Sequence, residues 1–244
     1  MKKTGFLIML FAALIISVLA FAGCSKQSES EEPADAPAET EAEAETEEGP
    51  VIDYMVLVNH NSPLPDGWEE ALQTTAITNS VGDEVYVESK AYEAYCALKE
   101  AVEKDLEGYD KGKVRFELDS AYRSVAAQQK IVDDFTEKYG EDYVKKYVAI
   151  PGYSEHHTGL ALDLYFTIDG KDVYENEDLV QYPEIWEAVH ARLPEFGFIL
   201  RFPEYGEAIT GYAYEPWHIR YLDSPEIAKE ITDKGITLEE YLGQ

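Results

Sequence analysis

The chain has 244 residues, 20 of them basic and 49 acidic, for a formal net charge of −29 at pH 7. This acidity disfavours nucleic-acid binding, which needs clustered Lys and Arg against phosphate, and argues for solubility rather than for any one partner. Two cysteines are too few for a disulfide framework.

Met1-Lys2-Lys3 precedes an apolar run from about Gly5 to Ala22. Two lysines, an apolar core and small residues at its end describe a secretory signal peptide, although the run approaches the roughly 20 residues of a spanning helix. Phe21-Ala22-Gly23-Cys24 decides between them, because it resembles a bacterial lipobox with Phe21 in place of the usual leucine. Residues 1–23 are therefore expected to be a lipoprotein signal peptide, and Cys24 the lipidated residue that anchors the chain to the outer face of the cytoplasmic membrane. From Ser25 to Pro50 there are ten acids, a single Lys26 and no large apolar residue. Such a stretch has nothing to offset the entropy of ordering, so residues 24–50 read as a disordered acidic tether that its own charges extend.

Residues 51–244 suit one domain with a sizeable core, carrying 17 basic against 39 acidic residues. Tyr54 to Val58 reads as a strand, followed by the Pro-rich Pro63-Leu-Pro65, and Val85 to Val87 as a short strand. Ser89 is expected to cap a helix to about Leu106, ended by Gly108. Cys96 lies among Tyr92, Tyr95, Leu98 and Val102 at helical spacing and reads as a buried core thiol. Val114 to Leu118 alternates like a strand. Ser124 caps a helix with Ile131, Val132, Phe135 and Tyr139 on one face and Gly140 as its stop. Gly159 to Phe166 is strand-like, and Pro183 suits the first turn of a helix carrying Ile185, Val189 and Phe196. Gly197 to Phe202 and Trp217 to Leu222 read as further strands. Ser224-Pro225 starts a helix stopped by Gly235, and Thr237 with Glu240 forms a capping box for a last one. Helices mingle with hairpin-like strands without regular βαβ alternation, so the expected class is α+β: a single compact domain with an antiparallel sheet flanked by helices.

Two stretches carry the chemistry: Ser154-Glu-His156-His157-Thr-Gly159-Leu-Ala-Leu-Asp163 and Glu215-Pro216-Trp217-His218. They offer two imidazoles, a carboxylate and a second carboxylate beside the third ligand, the inventory of a catalytic Zn2+ site with one open position and a general base. Gly159 and the alternation Leu160, Leu162, Leu164 place His156 in a loop and Asp163 on a strand, where the small Ala161 shares its face. Pro216 disfavours a helix at Glu215, so a turn is expected to bring Glu215 and His218 to one cavity. Glu215 is the candidate base. Arg123, at a strand-to-helix turn, is the candidate for a developing oxyanion or a substrate carboxylate. His157 reads as a neighbour of the ligands or a solvated residue, His60 and His190 as surface or packing residues, and Trp217 as wall material. Tyr212 and Tyr214 alternate toward the second stretch and are candidates to line a cleft.

At these residues the chain resembles the VanY-type D-alanyl-D-alanine carboxypeptidases, members of the LAS zinc peptidases that share a core fold with the Hedgehog signalling domain. The family pattern S-x-H-x-x-G-x-A-x-D is met by Ser154, His156, Gly159, Ala161 and Asp163, and E-P-W-H by Glu215 to His218. Tyr122-Arg123-Ser124 with Gln128, and Val56 to Asn59 with Pro63 to Pro65, resemble further family stretches. The resemblance implies His156, Asp163 and His218 on zinc, Glu215 as base, Arg123 on the intermediate, and Ser154 and Gln128 on the peptide. The implied substrate is the peptidoglycan stem peptide, cut near its D-alanine end, and a monomer is expected. L,D-carboxypeptidase action on tetrapeptide stems and a non-catalytic wall-binding module are the alternatives. A serine D,D-peptidase requires Ser-x-x-Lys, and no serine here has lysine three residues on; nor is there a Gly-x-Ser-x-Gly turn.

Overall fold

The computed structural model describes residues 51–244; the expected signal peptide, Cys24 and the tether lie outside the described residues. In chain order the elements are α1 (Trp68–Ala71), β1 (Thr74–Thr78), β2 (Glu84–Glu88), α2 (Ser89–Asp105), β3 (Val114–Ser120), α3 (Val125–Tyr139) and α4 (Glu141–Tyr147). A 3-10 turn at Glu155–Thr158 follows, then β4 (Ala161–Ile168), β5 (Lys171–Val173), α5 (Asn176–Leu179), α6 (Pro183–Arg192) and a second 3-10 turn at Leu193–Phe196. The chain continues with β6 (Phe198–Leu200), α7 (Glu207–Thr210), β7 (His218–Tyr221), α8 (Pro225–Lys234) and α9 (Leu238–Leu242).

β1 and β2 form an antiparallel pair, and the larger sheet runs β3-β4-β7-β6 with β5 alongside β4, all antiparallel. β4 is buried along almost its whole length, as a central strand covered on both faces must be. Alternation puts Leu162, Leu164 and Phe166 on one face, where the core of Leu98, Phe116, Leu118, Trp186 and Val189 gathers beneath α2 and α6. Phe116, Phe166 and Trp186 meet edge to face there, with ring centroids 5.6–6.4 Å apart, the arrangement that ring quadrupoles favour. Ala161 and Asp163 therefore lie on the opposite face. A smaller cluster of Ile199, Leu222, Ala228, Ile231 and Leu238 seats α8 and α9 against β6. The expected α+β class, with an antiparallel sheet flanked by helices, is the observed one.

One irregularity sets the site. Leu118 pairs with Leu164 and Ser120 with Asp163, so Asp119 is the extra residue of a β-bulge. Beyond it Ser120 stands opposite Asp163, whose other neighbour across the sheet is His218.

Several local expectations are corrected. Tyr54 to Val58 is not a strand: its Tyr54 and Val56 carbonyls accept from the Arg220 guanidinium at 3.0 and 2.8 Å instead of from a ladder. The cap of α2 is Glu88, whose carboxylate accepts from Ala91 N at 2.8 Å; the Ser89 hydroxyl donates to Gln73 O. Cys96 is exposed, because the buried stripe of α2 is Ala91, Tyr95, Leu98 and Val102, and one residue past Tyr95 lies about 100° around the helix. The expected strand from Gly197 to Phe202 shortens to β6. The caps at Ser124 and Ser224 and the Thr237/Glu240 capping box are present as read.

Candidate metal centre

His156 sits on the 3-10 turn that Gly159 closes at φ +70°. Thr158 shapes that turn by donating its hydroxyl to Glu155 O at 2.6 Å and accepting from Leu160 N at 3.0 Å. Asp163 comes from β4 and His218 from the start of β7. His156 Nε2 approaches Asp163 Oδ2 at 3.1 Å, and His218 Nδ1 approaches Asp163 Oδ1 at 2.9 Å. One ligand atom from each of the three lies within 4.8 Å of the others.

The remaining ring nitrogens are engaged elsewhere. His156 Nδ1 donates to Ala121 O at 2.8 Å, and His218 Nε2 donates to Glu155 Oε2 at 3.2 Å. These bonds turn the His156 Nε2 and His218 Nδ1 lone pairs toward Asp163, whose Oδ1 is buried without a hydrogen-bond partner. Converging lone pairs around an orphaned carboxylate oxygen are satisfied by a cation, and two imidazoles with one carboxylate suit zinc. The donor set fits that metal.

Burial opposes charge on Asp163, yet the flanking imidazoles hold its carboxyl well below the usual range. Burial also lowers His156. At His218 burial acts downward, but the Asp163 and Glu155 carboxylates outweigh it and push the ring up to about 10. A cation held through Nδ1 needs the neutral ring, so metal binding there competes with a proton.

Glu215 and His218 are joined by a turn at positions 216–217, closed by His218 N donating to Glu215 O at 3.2 Å. Glu215 Oε2 lies 3.8 Å from His218 Nδ1. Burial, with Asp163 nearby, raises Glu215 to about 7 against the pull of His218. His190, expected to be a surface or packing residue, donates to Pro216 O at 3.0 Å and steadies this turn.

Arg123 is largely buried and remains a cation: burial lowers its pKa while Asp163 and Asp119 raise it. Its Nη1 donates to Gln128 Oε1 at 3.0 Å and its Nη2 to Ser120 Oγ at 3.3 Å, and that hydroxyl donates in turn to Asp163 Oδ2 at 3.0 Å. Gln128 spends a second group on Ala149 O at 2.7 Å. His157 is fully buried with both ring nitrogens engaged by backbone, donating from Nδ1 to Arg123 O at 2.6 Å and accepting from Gly152 N at 3.1 Å. It holds the Arg123 backbone and is not a ligand.

The three ligands share one cleft of about 400 Å³ with Glu215, Arg123, Ser154 and Gln128. Trp217 and Tyr212 belong to its wall; Tyr214 does not. Exposed His60 stacks on Tyr212 with centroids 4.5 Å apart. Four buried charged residues have no role assigned from the sequence: Glu155, Arg201, Arg220, which falls in a stretch resembling the family's continuation after Glu215 to His218, and Glu239. A signal existed, since Arg201 and Arg220 stand inside apolar strand-like stretches, where a cation requires buried partners.

Residues 84–224 match the family model described as VanY, D-alanyl-D-alanine carboxypeptidase. The chain belongs to the VanY family. Among its relatives is the YodJ protein of Bacillus subtilis (strain 168), 35% identical over 191 residues that span 77% of this chain and 66% of that one. A zinc complex of a mutant VanY D,D-pentapeptidase from a VanB-type vancomycin resistance cassette superposes with TM-score 0.60 at 29% identity, covering 78% of this chain and 98% of the other. The LdcB LD-carboxypeptidase superposes with TM-score 0.61 at 33% identity, covering 77% and 84%. As a VanY-family chain with this donor set, the protein has a zinc centre.

Proposed function

We propose that this VanY-family protein is a zinc-dependent D-alanyl-D-alanine carboxypeptidase that removes the terminal D-alanine from peptidoglycan stem peptides. The observation that carries the reading is the convergence of His156, Asp163, His218, Glu215 and Arg123 on one cleft. His156 Nε2, Asp163 and His218 Nδ1 would hold the metal, which supplies a Lewis acid that acidifies water and polarises a carbonyl. Glu215, with its raised pKa, accepts the proton of the attacking water and returns it to the leaving amine. Arg123, held by Gln128 and Ser120, offers fixed positive charge to the oxyanion as it develops. Gln128 keeps Arg123 in place and has one amide hydrogen left for the peptide; the Ser154 side chain borders the same space. A lipid on Cys24 and the acidic tether would hold this domain on the outer face of the membrane within reach of the wall. Among the described residues no helix is long and apolar enough to cross a membrane.

The likeness to the LdcB LD-carboxypeptidase favours a second reading, removal of D-alanine from tetrapeptide stems by the same residues. The deciding experiment offers the purified protein synthetic stem pentapeptide and tetrapeptide separately, with and without a chelator, and identifies products by mass spectrometry. Chelator-sensitive loss of one alanine from the pentapeptide is the expected result. Loss from the tetrapeptide alone moves the assignment to L,D-carboxypeptidase, and cleavage of neither overturns both.

A further inference from the structure

The outer bond of His218 leads into a set of buried charges that the proposed chemistry does not use. Glu155, beside His156 on the 3-10 turn, accepts from His218 Nε2 through one carboxylate oxygen at 3.2 Å. Its other oxygen accepts from Arg201 Nε and Arg220 Nη1, both at 2.7 Å. Arg201 turns its two terminal nitrogens to Glu239 at 2.9 and 2.6 Å, a forked pair with the first turn of α9. Asn59 Nδ2 completes the far side, donating to Glu239 Oε1 at 3.1 Å. The four charged residues are 0–5% exposed, and two carboxylates balance two guanidiniums.

Stability alone is a poor reason for this arrangement. Apolar side chains of similar volume commonly hold a core as well as a buried ionic set does, or better. The contact an apolar residue cannot replace is the one to His218. A carboxylate on the outer nitrogen of a metal-binding histidine fixes the ring, fixes which nitrogen carries hydrogen and raises its basicity toward the metal. Here it leaves Nδ1 as the atom facing Asp163 at 2.9 Å. The two guanidiniums keep Glu155 ionised and aimed, and Glu239 fixes the orientation of Arg201. Glu239 and Asn59 both lie outside the matched residues 84–224.

We infer that Glu155 is a positioning residue that sets His218 for the metal, and that Glu239 on α9 is the outer member of the same device, acting through Arg201 and Glu155. The C-terminal helix is then a working part of the metal centre. This inference rests on the zinc reading of the cleft.

The test measures zinc affinity of the purified protein by chelator competition and records the visible spectrum of the cobalt-substituted form. Four proteins are compared: wild type, Glu155→Gln, Glu239→Gln and the double variant Glu155→Gln/Arg220→Gln. The double variant keeps the Arg201–Glu239 pair and the net charge, so it holds the test open where the unbalanced single variant fails to fold. Far-UV circular dichroism certifies the fold of each. Expected is zinc binding weakened by about 10–100-fold for the Glu155 variants, by a smaller factor for Glu239→Gln, and a shifted cobalt spectrum in all three. Wild-type affinity and spectrum in the folded variants would overturn the inference and leave the zinc centre standing. A wild-type protein that binds no zinc would overturn the zinc reading itself, and the inference with it.

Discussion

Replacing Glu215 by Gln keeps the side-chain shape and removes both the charge and the proton acceptor, so it separates two consequences of burying a carboxylate beside a metal. Burial raises Glu215 from 4.5 to about 7, and each unit corresponds to about 1.4 kcal/mol between protonation states. The side chain is still 29% exposed, so the penalty for carrying its charge in the folded, metal-free protein is about 2–3 kcal/mol after solvent screening. A raised pKa means that stability is fully present below about pH 4.5, the unperturbed value, and is lost as pH rises through about 7. In a chelator, Glu215→Gln should therefore be more stable than wild type by about 2–3 kcal/mol at pH 8, with the gap closing toward pH 4. The same variant, zinc-loaded, should lose about 10²–10⁴-fold in kcat, the usual contribution of a general base. Denaturant unfolding at the two pH values and steady-state hydrolysis of the preferred stem peptide are the assays. Turnover within tenfold of wild type, or no gain in stability at pH 8, would refute the reasoning.

Arg123→Lys keeps the charge but loses the fork that engages Gln128 and Ser120, and kcat should fall by about 10²–10³-fold while zinc affinity is retained. Glu155 and Glu239 are both held below the usual carboxylate range, against burial, by the guanidiniums beside them. Their contribution to stability is present above about pH 4.5 and is lost as pH falls through their lowered folded values. Thermal unfolding from pH 7 down to pH 3 should show this loss, and Glu239→Gln should flatten the curve. Trp186→Ala, in a core position 1% exposed, should cost about 3–5 kcal/mol in denaturant unfolding without changing zinc affinity, because Trp186 touches the face of the sheet opposite Asp163.

The metal triad was legible because its information is local. Gly159 ends the turn that carries His156, strand alternation selects the face of Asp163, and Pro216 forces the turn that brings Glu215 beside His218. The caps at Ser124, Ser224 and Thr237 were legible for the same reason, since each satisfies backbone groups within three residues. Glu155 was not: in sequence it is one more acid in a polar loop, and its partners Arg201 and Arg220 stand 46 and 65 residues away. The misread strand at Tyr54 to Val58 has the same origin. Its apolar residues promised a ladder, but Arg220 took two of its carbonyls, and a backbone group needs only one partner from any source. Cys96 shows the narrower error of treating a nearby helical position as part of the buried stripe.

The double pairing of Asp163, with Ser120 on one side and His218 on the other, determines which changes of length this chain can bear. Slipping β3 or β7 by one residue against β4 turns every side chain of the slipped strand to the other face; the site is then dismantled, not displaced. A deletion within His218–Tyr221 or within Ala161–Ile168 should abolish zinc binding whatever residue is removed. Residues added at the Asp169-Gly170 tip of the β4–β5 hairpin, beyond the last paired position at Ile168, should leave it intact.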